Sequence, residues 1–191
     1  MLLLASASPR RRELLERLGV PMRIVATQAD EQLPDLPLQE AVVMLARRKG
    51  EAAMARREWG EILIAADTLV LCQGEVMGKP DTPGEARRML ERLADRQHEV
   101  VTGVWMTDGD RDAAICETTQ VTFGGFDQAW MPALIADGMD KAGAYGIQSV
   151  AGLFCRGIVG SFENVMGLPL CLVREQLTHW GMMTGRQNGR F

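Results

Sequence analysis

A continuous apolar run at residues 62–66, with the sequence Ile-Leu-Ile-Ala-Ala, constrains the fold of this chain most strongly. A run this short, without polar alternation, is typical of a strand that is buried on both faces of a sheet. Helices must then cover both faces of that sheet. Asp67 follows the run at once, so we expect the strand to end in a carboxylate.

Strand and helix patterns alternate along the rest of the chain. Apolar patterns predict strands at residues 2–5, 22–26, 98–107, 113–123 and 153–159. Helical spacing predicts helices at residues 10–18, 38–57, 83–94, 130–136 and 169–177. The clearest helix start is the capping box from Thr82 to Glu85, and turns at residues 73–74 and 108–110 predict hairpins. This order predicts an α/β fold in which a mixed central sheet with hairpins is flanked by helices.

Length and composition suit a single domain. We place this domain at residues 1–180 of the 191, followed by a flexible tail at residues 181–191. The N-terminal apolar run is too short for a signal peptide and no stretch is long enough to cross a membrane, so we expect a cytoplasmic protein without membrane contact. The net charge of −4 disfavours binding to nucleic acid, although a local cluster of Arg and Lys can still hold a small phosphorylated molecule.

The cysteines give no sign of a zinc site. They lie far apart, without a CxxC pair, and we expect all of them to be reduced residues of the core: Cys72, Cys116, Cys155 and Cys171. The chain has only two histidines, so carboxylates and phosphates would supply most ligands of a catalytic metal. Oxygen ligands of this kind favour Mg²⁺ or Mn²⁺ over zinc.

Two arginines follow a predicted helix start near the N-terminus. Ser8 stands at the N-cap, Pro9 at the first helical position, and Arg10 and Arg11 in the first turn. The helix dipole places partial positive charge there, so cations are unfavourable by roughly 0.3–1 kcal/mol unless an anion intervenes. A bound phosphate would remove the conflict. An ordinary capped helix with arginines in solvent is the alternative.

Acidic residues in two segments are candidates for catalysis or metal binding. Asp67, followed by Thr68, is placed to hold a metal or to orient a water, although Asp is also common in plain turns. Asp30 and Glu31 lie in a loop between a strand and a helix. They supply a second carboxylate for a magnesium-type site, with simple solvation as the alternative.

Two lysines are candidate phosphate ligands. Lys79 lies in the sequence Gly-Glu-Val-Met-Gly-Lys-Pro, which differs from a P-loop because its glycines are one residue too close and Pro80 replaces the Ser or Thr that binds magnesium. We reject a P-loop and keep Lys79 as a phosphate contact. Lys49 belongs to a basic run on a predicted helix, a pattern that usually marks a solvated face.

The segment at residues 140–148 is a candidate binding loop. Its sequence, Asp-Lys-Ala-Gly-Ala-Tyr-Gly-Ile-Gln, has small side chains that let a ligand approach the backbone. The amide of Gln148 is able to accept from a pyrimidine N3–H and to donate to O4, a pairing open to thymine and uracil but not to cytosine. A plain surface turn is the alternative.

Taken together, these segments resemble the Maf family of nucleotide pyrophosphatases. The resemblance spans nearly the whole chain and rests on motifs in the same order, at residues 6–11, 30–31, 46–49, 66–68, 78–80, 140–148 and 164–169. It implies a Maf/ITPase-like fold. It also implies hydrolysis of a nucleoside triphosphate to its monophosphate and pyrophosphate with a divalent cation.

The resemblance implies roles for individual residues. Asp67 is the catalytic base, and Glu31 and Asp67 lie near the metal. The cations expected to contact the triphosphate are Arg10, Arg11, Lys49 and Lys79.

Three positions distinguish subgroups of the family. Arg10, Thr68 and Gln148 match the subgroup that hydrolyses dTTP and UTP. The 7-methyl-GTP subgroup tends to carry a bulky aromatic residue, Gln and Glu at these positions. Thr68 and Gln148 are therefore expected to bind the substrate as well.

The chain also departs from the family pattern. Gly50 stands where Ala is usual, and Ser149 and Ala151 occupy positions often taken by glycine. The family suggests a homodimer. Two further functions stay open: clean-up of modified or methylated nucleotides, and a non-catalytic regulator of cell division that binds nucleotides or DNA. The enzymatic hypothesis requires all the implied site residues to converge on one cavity.

Overall fold

Residues 1–183 are described by a computed structural model, in which a seven-stranded sheet carries helices on both faces. The strands are β1 (Leu2–Leu4), β2 (Met22–Ile24), β3 (Ile62–Cys72), β4 (Glu75–Met77), β5 (Gln97–Thr107), β6 (Asp112–Phe123) and β7 (Cys155–Val159). The helices are α1 (Pro9–Glu16), α2 (Leu38–Glu51), α3 (Pro83–Leu93), α4 (Met131–Gly138), α5 (Phe162–Met166) and α6 (Leu170–His179).

The sheet is mixed, as the sequence predicts. Its strand order is β2-β1-β3-β5-β6-β7, and β4 pairs with β3. β1 runs parallel to β2 and β3, whereas the other pairs are antiparallel. The predicted hairpins β3–β4 and β5–β6 are confirmed, and so is the helix start at Thr82, whose side chain accepts from Glu85 N at 3.2 Å. The predicted α/β fold is therefore confirmed.

β3 is longer than the predicted strand. Its ladder with β5 continues past the apolar run through Asp67, which pairs with Gly103, as far as Leu71. The expectation that Asp67 ends the strand is wrong, because the antiparallel neighbour β5 keeps supplying backbone hydrogen bonds beyond the apolar residues. Asp67 is instead an interior strand residue.

The two faces of β3 belong to different cores. Ile62 and Ile64 pack in the main core with α1, α3, α4 and α6, whereas Leu63 and Ala65 pack in a smaller core under α2. Since successive strand side chains point to opposite faces, Asp67 belongs to the α2 side and Thr68 to the α1 side. Two consecutive residues therefore meet side chains from different helices.

Gly103 allows α2 to approach the sheet closely. A Cβ atom at this position would lie 2.6 Å from Val43 N and 2.7 Å from Val42 C. Backbone atoms of a helix cannot give way as a flexible side chain can. Because Gly103 pairs with Asp67, the same contact brings α2 down beside Asp67.

One edge of β3 is open at the level of Asp67 and Thr68. On the edge opposite β5, β1 pairs with β3 as far as Ile64, and β4 pairs with it from Val70. Between them, at residues 65–69, no other strand within residues 1–183 lies on that edge. The loops that follow β1 and β4 therefore meet at Asp67 and Thr68.

Some local predictions need correction. Only Cys72 is buried; Cys155 is half-buried, and Cys116 and Cys171 are exposed, although all of them are free thiols as expected. The prediction that they are core residues is wrong for the exposed pair, because each lies on the solvent side of an element whose other face is buried.

Helix boundaries also differ from the predictions. α2 ends at Glu51 and a separate 3-10 turn follows at Met54–Arg56, whereas one helix was expected over residues 38–57. α5 was not predicted, because five residues are too few to show a helical period. Met182 and Met183 pack against the main core, and the rest of the predicted tail, residues 184–191, lies outside the described residues. Among the helices of residues 1–183, none combines the length and the hydropathy needed to cross a membrane.

Candidate active site

A cavity of about 270 Å³ opens at the unpaired edge of β3. Its walls come from the loop after β1, the start of α1, the loop after β2, α2, β3, the loop after β4, β5, the segment after α4 and the end of α5. Every residue that the family resemblance assigned to the site lines this cavity: Arg10, Arg11, Glu31, Lys49, Asp67, Thr68, Lys79 and Gln148. The other candidate carboxylate, Asp30, does not line it and pairs with Arg48. The fold thus brings together side chains that are scattered along the sequence.

Lys49 bridges two carboxylates at one end of the cavity. Its Nζ lies 2.6 Å from Asp67 Oδ1 and 2.8 Å from Glu31 Oε1. The hydrogen bond from Lys49 holds the pKa of Glu31 below its ordinary value, against the opposing effect of partial burial. Neighbouring Arg47 and Arg48 pair with acidic groups elsewhere, so within this basic run Lys49 faces the cavity.

The carboxylates also fit a divalent cation that arrives with a phosphate. Glu31 and Asp67 both reach the position of one ammonium nitrogen, and their oxygens are ligands that Mg²⁺ and Mn²⁺ accept. Magnesium in proteins commonly takes one or two carboxylates and completes its shell with water and substrate phosphates. Within residues 1–183, no three His, Cys, Asp or Glu side chains are placed to hold a metal on their own. The donor set therefore suits a metal shared with the substrate.

Arg10 lies at the start of α1 and pairs with an acidic residue of the opposite wall. Its Nη1 donates to Asp140 Oδ2 at 3.0 Å. Partial burial opposes ionisation of Asp140, but hydrogen bonds from Lys141 and Arg10 outweigh it and hold the pKa of Asp140 below its ordinary value. The predicted conflict between cations and the helix dipole is thus relieved in part by a carboxylate of the chain itself.

Arg11 is fixed by three neutral acceptors. Its Nε donates to Gly167 O at 2.8 Å, its Nη2 donates to Thr68 Oγ1 at 3.1 Å, and its Nη1 donates to Ser6 Oγ at 3.4 Å. Burial lowers the pKa of Arg11, and the charge of Asp67 opposes this effect. Because guanidinium does not lose its proton in proteins, Arg11 stays a cation facing the cavity.

Lys79 and Gln148 occupy the more exposed walls. Lys79 follows β4, and Gln148 closes the segment at residues 140–148. The two loops are tied together because Gly143 N donates to Gly78 O at 3.0 Å. Both side chains are exposed at the cavity. The arrangement is acidic at Glu31 and Asp67 and cationic around them.

A buried pair supports the wall of the cavity at Tyr145. His98, 2% exposed, places Nε2 at 2.8 Å from the Tyr145 hydroxyl. Burial lowers the pKa of His98 to about 4 and raises the pKa of Tyr145. Both groups are therefore neutral near pH 7, and the contact is a neutral hydrogen bond inside the aromatic cluster with Phe123.

Sequence comparison identifies the family. Residues 1–180 match the family described as Maf-like protein. The chain is 45% identical over 186 residues to the dTTP/UTP pyrophosphatase of Geotalea uraniireducens (strain Rf4), which covers 94% of this chain and 95% of the relative. It is 43% identical over 187 residues to the protein of the same name from Geobacter sulfurreducens, and the match covers 95% of this chain and 97% of the relative. The Moorella thermoacetica protein of that name is 45% identical over 186 residues, covering 95% of each chain.

The chain belongs to the Maf family. The resemblance found in its motifs is confirmed.

Two of the three departures from the Maf pattern, Gly50 and Ser149, have structural reasons. A Cβ atom at Gly50 would lie 2.3 Å from Trp105 Cε3, so the glycine makes room for a large ring between α2 and β5. Ser149 Oγ donates its single proton to Asp137 Oδ2, the closer of its two acceptors, and Ser149 N donates to Gly146 O at 3.2 Å. Ser149 thus ties the binding loop to α4.

Sequence reasoning missed residues that complete the site. Asp140 and Lys141 line the cavity and pair with each other at 2.7 Å. Gly167 contributes its backbone carbonyl to Arg11. Asp140 and Lys141 begin the loop that was singled out, so its charged start was an available signal. A backbone carbonyl leaves no such signal in a sequence.

The buried His98 predicts a pH dependence of stability. Its folded-state pKa of about 4 lies below the ordinary value of 6.5. Between these pH values His98 binds a proton in the unfolded chain but not in the folded chain. The free energy of unfolding is therefore highest above pH 6.5 and decreases as the pH falls towards 4. Replacing His98 by Gln, which keeps a partner for Tyr145, should remove this contribution.

Urea unfolding at pH 7 and pH 4.5 measures the effect. From pH 7 to pH 4.5, we expect the free energy of unfolding to decrease by about 2 kcal/mol more in the wild type than in His98→Gln. Because both proteins carry the same carboxylates, the contribution of carboxylate titration to the change in unfolding free energy cancels in this comparison. An equal loss in both would show that His98 titrates normally in the folded state.

Proposed function

We propose that this chain hydrolyses dTTP and UTP to the nucleoside monophosphates and pyrophosphate. One observation carries the proposal: Asp67, bound by Lys49 and close to Glu31, lies in a cavity whose other walls carry Arg10, Arg11 and Lys79. Cleavage of a phosphoanhydride requires a base that activates water and cations that bind the phosphates. The cavity provides both. The names of the relatives supply the substrates.

Asp67 is the catalytic base in this proposal. Lys49 engages its Oδ1, which leaves Oδ2 to accept a proton from water. Lys49 also fixes the orientation of the carboxylate, so that the water is held for attack on the α-phosphorus. Pyrophosphate is then the leaving group.

The cations stabilise the charge that develops during transfer. Arg10, Arg11, Lys49 and Lys79 bind the triphosphate, and negative charge builds up on the departing pyrophosphate as the bond breaks. Arg11 is held rigidly and needs no reorganisation, whereas Lys79 is exposed and adjusts to the substrate. Asp140 is exchanged for phosphate oxygen at Arg10 when the substrate binds.

A divalent cation, Mg²⁺ or Mn²⁺, completes the site. Glu31 and Asp67 would hold it, and when bound it neutralises phosphate charge beside the reacting centre. The Lys49 ammonium holds these two carboxylates close together.

The base is recognised by Gln148 and the loop around it. Its amide matches N3–H and O4 of uracil and thymine, and both groups are reversed or absent in cytosine. Thr68 lies in the same cavity and takes part in substrate binding through its hydrogen bond with Arg11. This assignment explains why the subgroup-specific residues lie in a single cavity with the phosphate-binding cations.

The proposal extends to the setting of the enzyme. We assign residues 1–180 to the pyrophosphatase domain and place the protein in the cytoplasm, where its substrates are made. A homodimer is included because it is expected of the family. The partner is a small nucleotide and not a nucleic acid, given the net charge of −4.

A panel of nucleoside triphosphates tests the activity. With Mg²⁺ or Mn²⁺, we expect UTP and dTTP to yield monophosphate and pyrophosphate, and CTP to react more slowly because its N3 and N4 groups match the Gln148 amide only in the flipped orientation. A chelator should stop the reaction. Faster cleavage of methylated nucleotides such as 7-methyl-GTP would favour a clean-up role. Retention on DNA at physiological salt without pyrophosphate release would favour a non-catalytic regulator.

Replacing Asp67 by Asn tests the catalytic base. The amide keeps the shape of the side chain but cannot take a proton, so kcat for UTP should fall by about 10²–10⁴-fold with KM nearly unchanged. Steady-state pyrophosphate release measures both constants. Asp112→Asn, an exposed change on β6, is the matched control and should retain wild-type rates. Full turnover by Asp67→Asn would remove Asp67 from the mechanism.

A further inference from the structure

A chain of hydrogen bonds runs from Arg11 in the cavity into the protein interior. Arg11 Nη2 lies 3.1 Å from Thr68 Oγ1, Thr68 Oγ1 lies 3.0 Å from Thr102 Oγ1, and Thr102 Oγ1 lies 3.1 Å from the backbone oxygen of Asn164. Thr68 and Thr102 are directly opposite each other on β3 and β5. Thr102 is fully buried and does not line the cavity.

The direction of each bond in this chain is fixed. A carbonyl oxygen only accepts, so the single hydroxyl proton of Thr102 goes to Asn164 O. Thr102 must then accept the proton of Thr68. Thr68 in turn accepts from Arg11, whose guanidinium only donates. All three contacts can be made at once in this arrangement alone.

We infer that Thr102 is a positioning residue that acts on the substrate through Thr68 and Arg11. Because Thr102 accepts the hydrogen bond of the Thr68 hydroxyl, Thr68 can only accept hydrogen bonds from groups in the cavity. Thr68 therefore offers no O–H to a phosphate or base oxygen, and its contribution to substrate binding is to aim Arg11. The inference deepens the proposed function and rests on it for the identity of the substrate.

The second acceptor of Arg11 is anchored to the same buried group. Asn164, 0% exposed, donates from Nδ2 to Val100 O at 3.1 Å and to Thr119 Oγ1 at 2.9 Å. Its backbone oxygen also accepts from the N–H of Gly167, the residue whose carbonyl binds Arg11 Nε. Two of the acceptors of Arg11, Gly167 O and Thr68 Oγ1, are therefore both held in place by Asn164, which is buried between β5, β6 and α5.

This anchoring explains how Arg11 is held without a carboxylate. A paired carboxylate would compete with the phosphates for the cation, whereas a carbonyl and a hydroxyl leave its charge uncompensated. Arg11 Nη1 also donates to Ser6 Oγ at 3.4 Å, and the remaining N–H groups, one on Nη1 and one on Nη2, are left for a triphosphate oxygen. The orientation of Arg11 is thus supplied by neutral groups, and its charge is reserved for the substrate.

Thr102→Val and Thr102→Ser test the inference. Valine keeps the shape and removes the hydroxyl, and Asn164 O keeps its bond from Gly167 N, so Tm should fall by no more than about 2–4 °C. We expect kcat/KM for UTP to fall about tenfold, a loss typical of one hydrogen bond that orients a charged group. Serine restores the proton acceptor and should return kcat/KM to within about twofold of wild type.

Thr107→Val is the matched control. Thr107 is a buried threonine on the same strand, and it donates to Arg111 O at 2.8 Å, away from the cavity. This variant should show a similar or larger fall in Tm with unchanged kcat/KM. Equal kinetic losses in Thr102→Val and Thr107→Val, or no rescue by serine, would mean that Thr102 is merely structural and would overturn the inference.

A double-mutant cycle separates the inference from the proposed function. The affinity for a UTP analogue with a methylene group between the α- and β-phosphorus is measured by titration calorimetry, so no turnover is needed. Thr102→Val should weaken binding in the wild type but change it by less than about twofold in an Arg11→Ala background. Independent, additive losses would overturn the inference. Failure of the wild type to cleave UTP would contradict the proposed function, while the binding cycle would still report on Thr102.

Discussion

The ion pairs of Lys49 with Glu31 and Asp67 are the interaction on which the site depends. Two carboxylates placed this close would repel each other in a partly buried cavity, and a cation between them reverses the sign of that interaction. The pairs require α2 to lie close to the sheet, which the missing side chain at Gly103 permits. They also require Asp67 to be accessible, which the open edge of β3 between β1 and β4 provides.

Two consecutive residues of β3 contact different parts of the site. Asp67 faces α2 and takes its partner there, on the side proposed for water and metal. Thr68 faces α1 and takes Arg11, on the side proposed for the triphosphate. In a sheet covered on both faces, such neighbours would be separated by the strand itself. The gap in the neighbouring strands is what lets both side chains contribute to one cavity.

Much of this could be predicted from the sequence, for identifiable reasons. The strand and helix order follows from apolar periodicity, and the start of α3 follows from the capping box at Thr82. The convergence of the site residues followed from ordered motifs, each weak by itself. The position of Asp67 inside a strand could not be predicted, because it depends on pairing with β5, which is distant in the sequence. The same holds for Gly103 and for the Gly167 carbonyl, whose roles come from backbone atoms brought near by the fold.

The most direct test of the account is hydrolysis of UTP in ¹⁸O-labelled water. If Asp67 directs water to the α-phosphorus, mass spectrometry will find one labelled oxygen in UMP and none in pyrophosphate. Label in pyrophosphate would place the attack on the β-phosphorus. It would contradict the arrangement of base and cations on which the whole account rests.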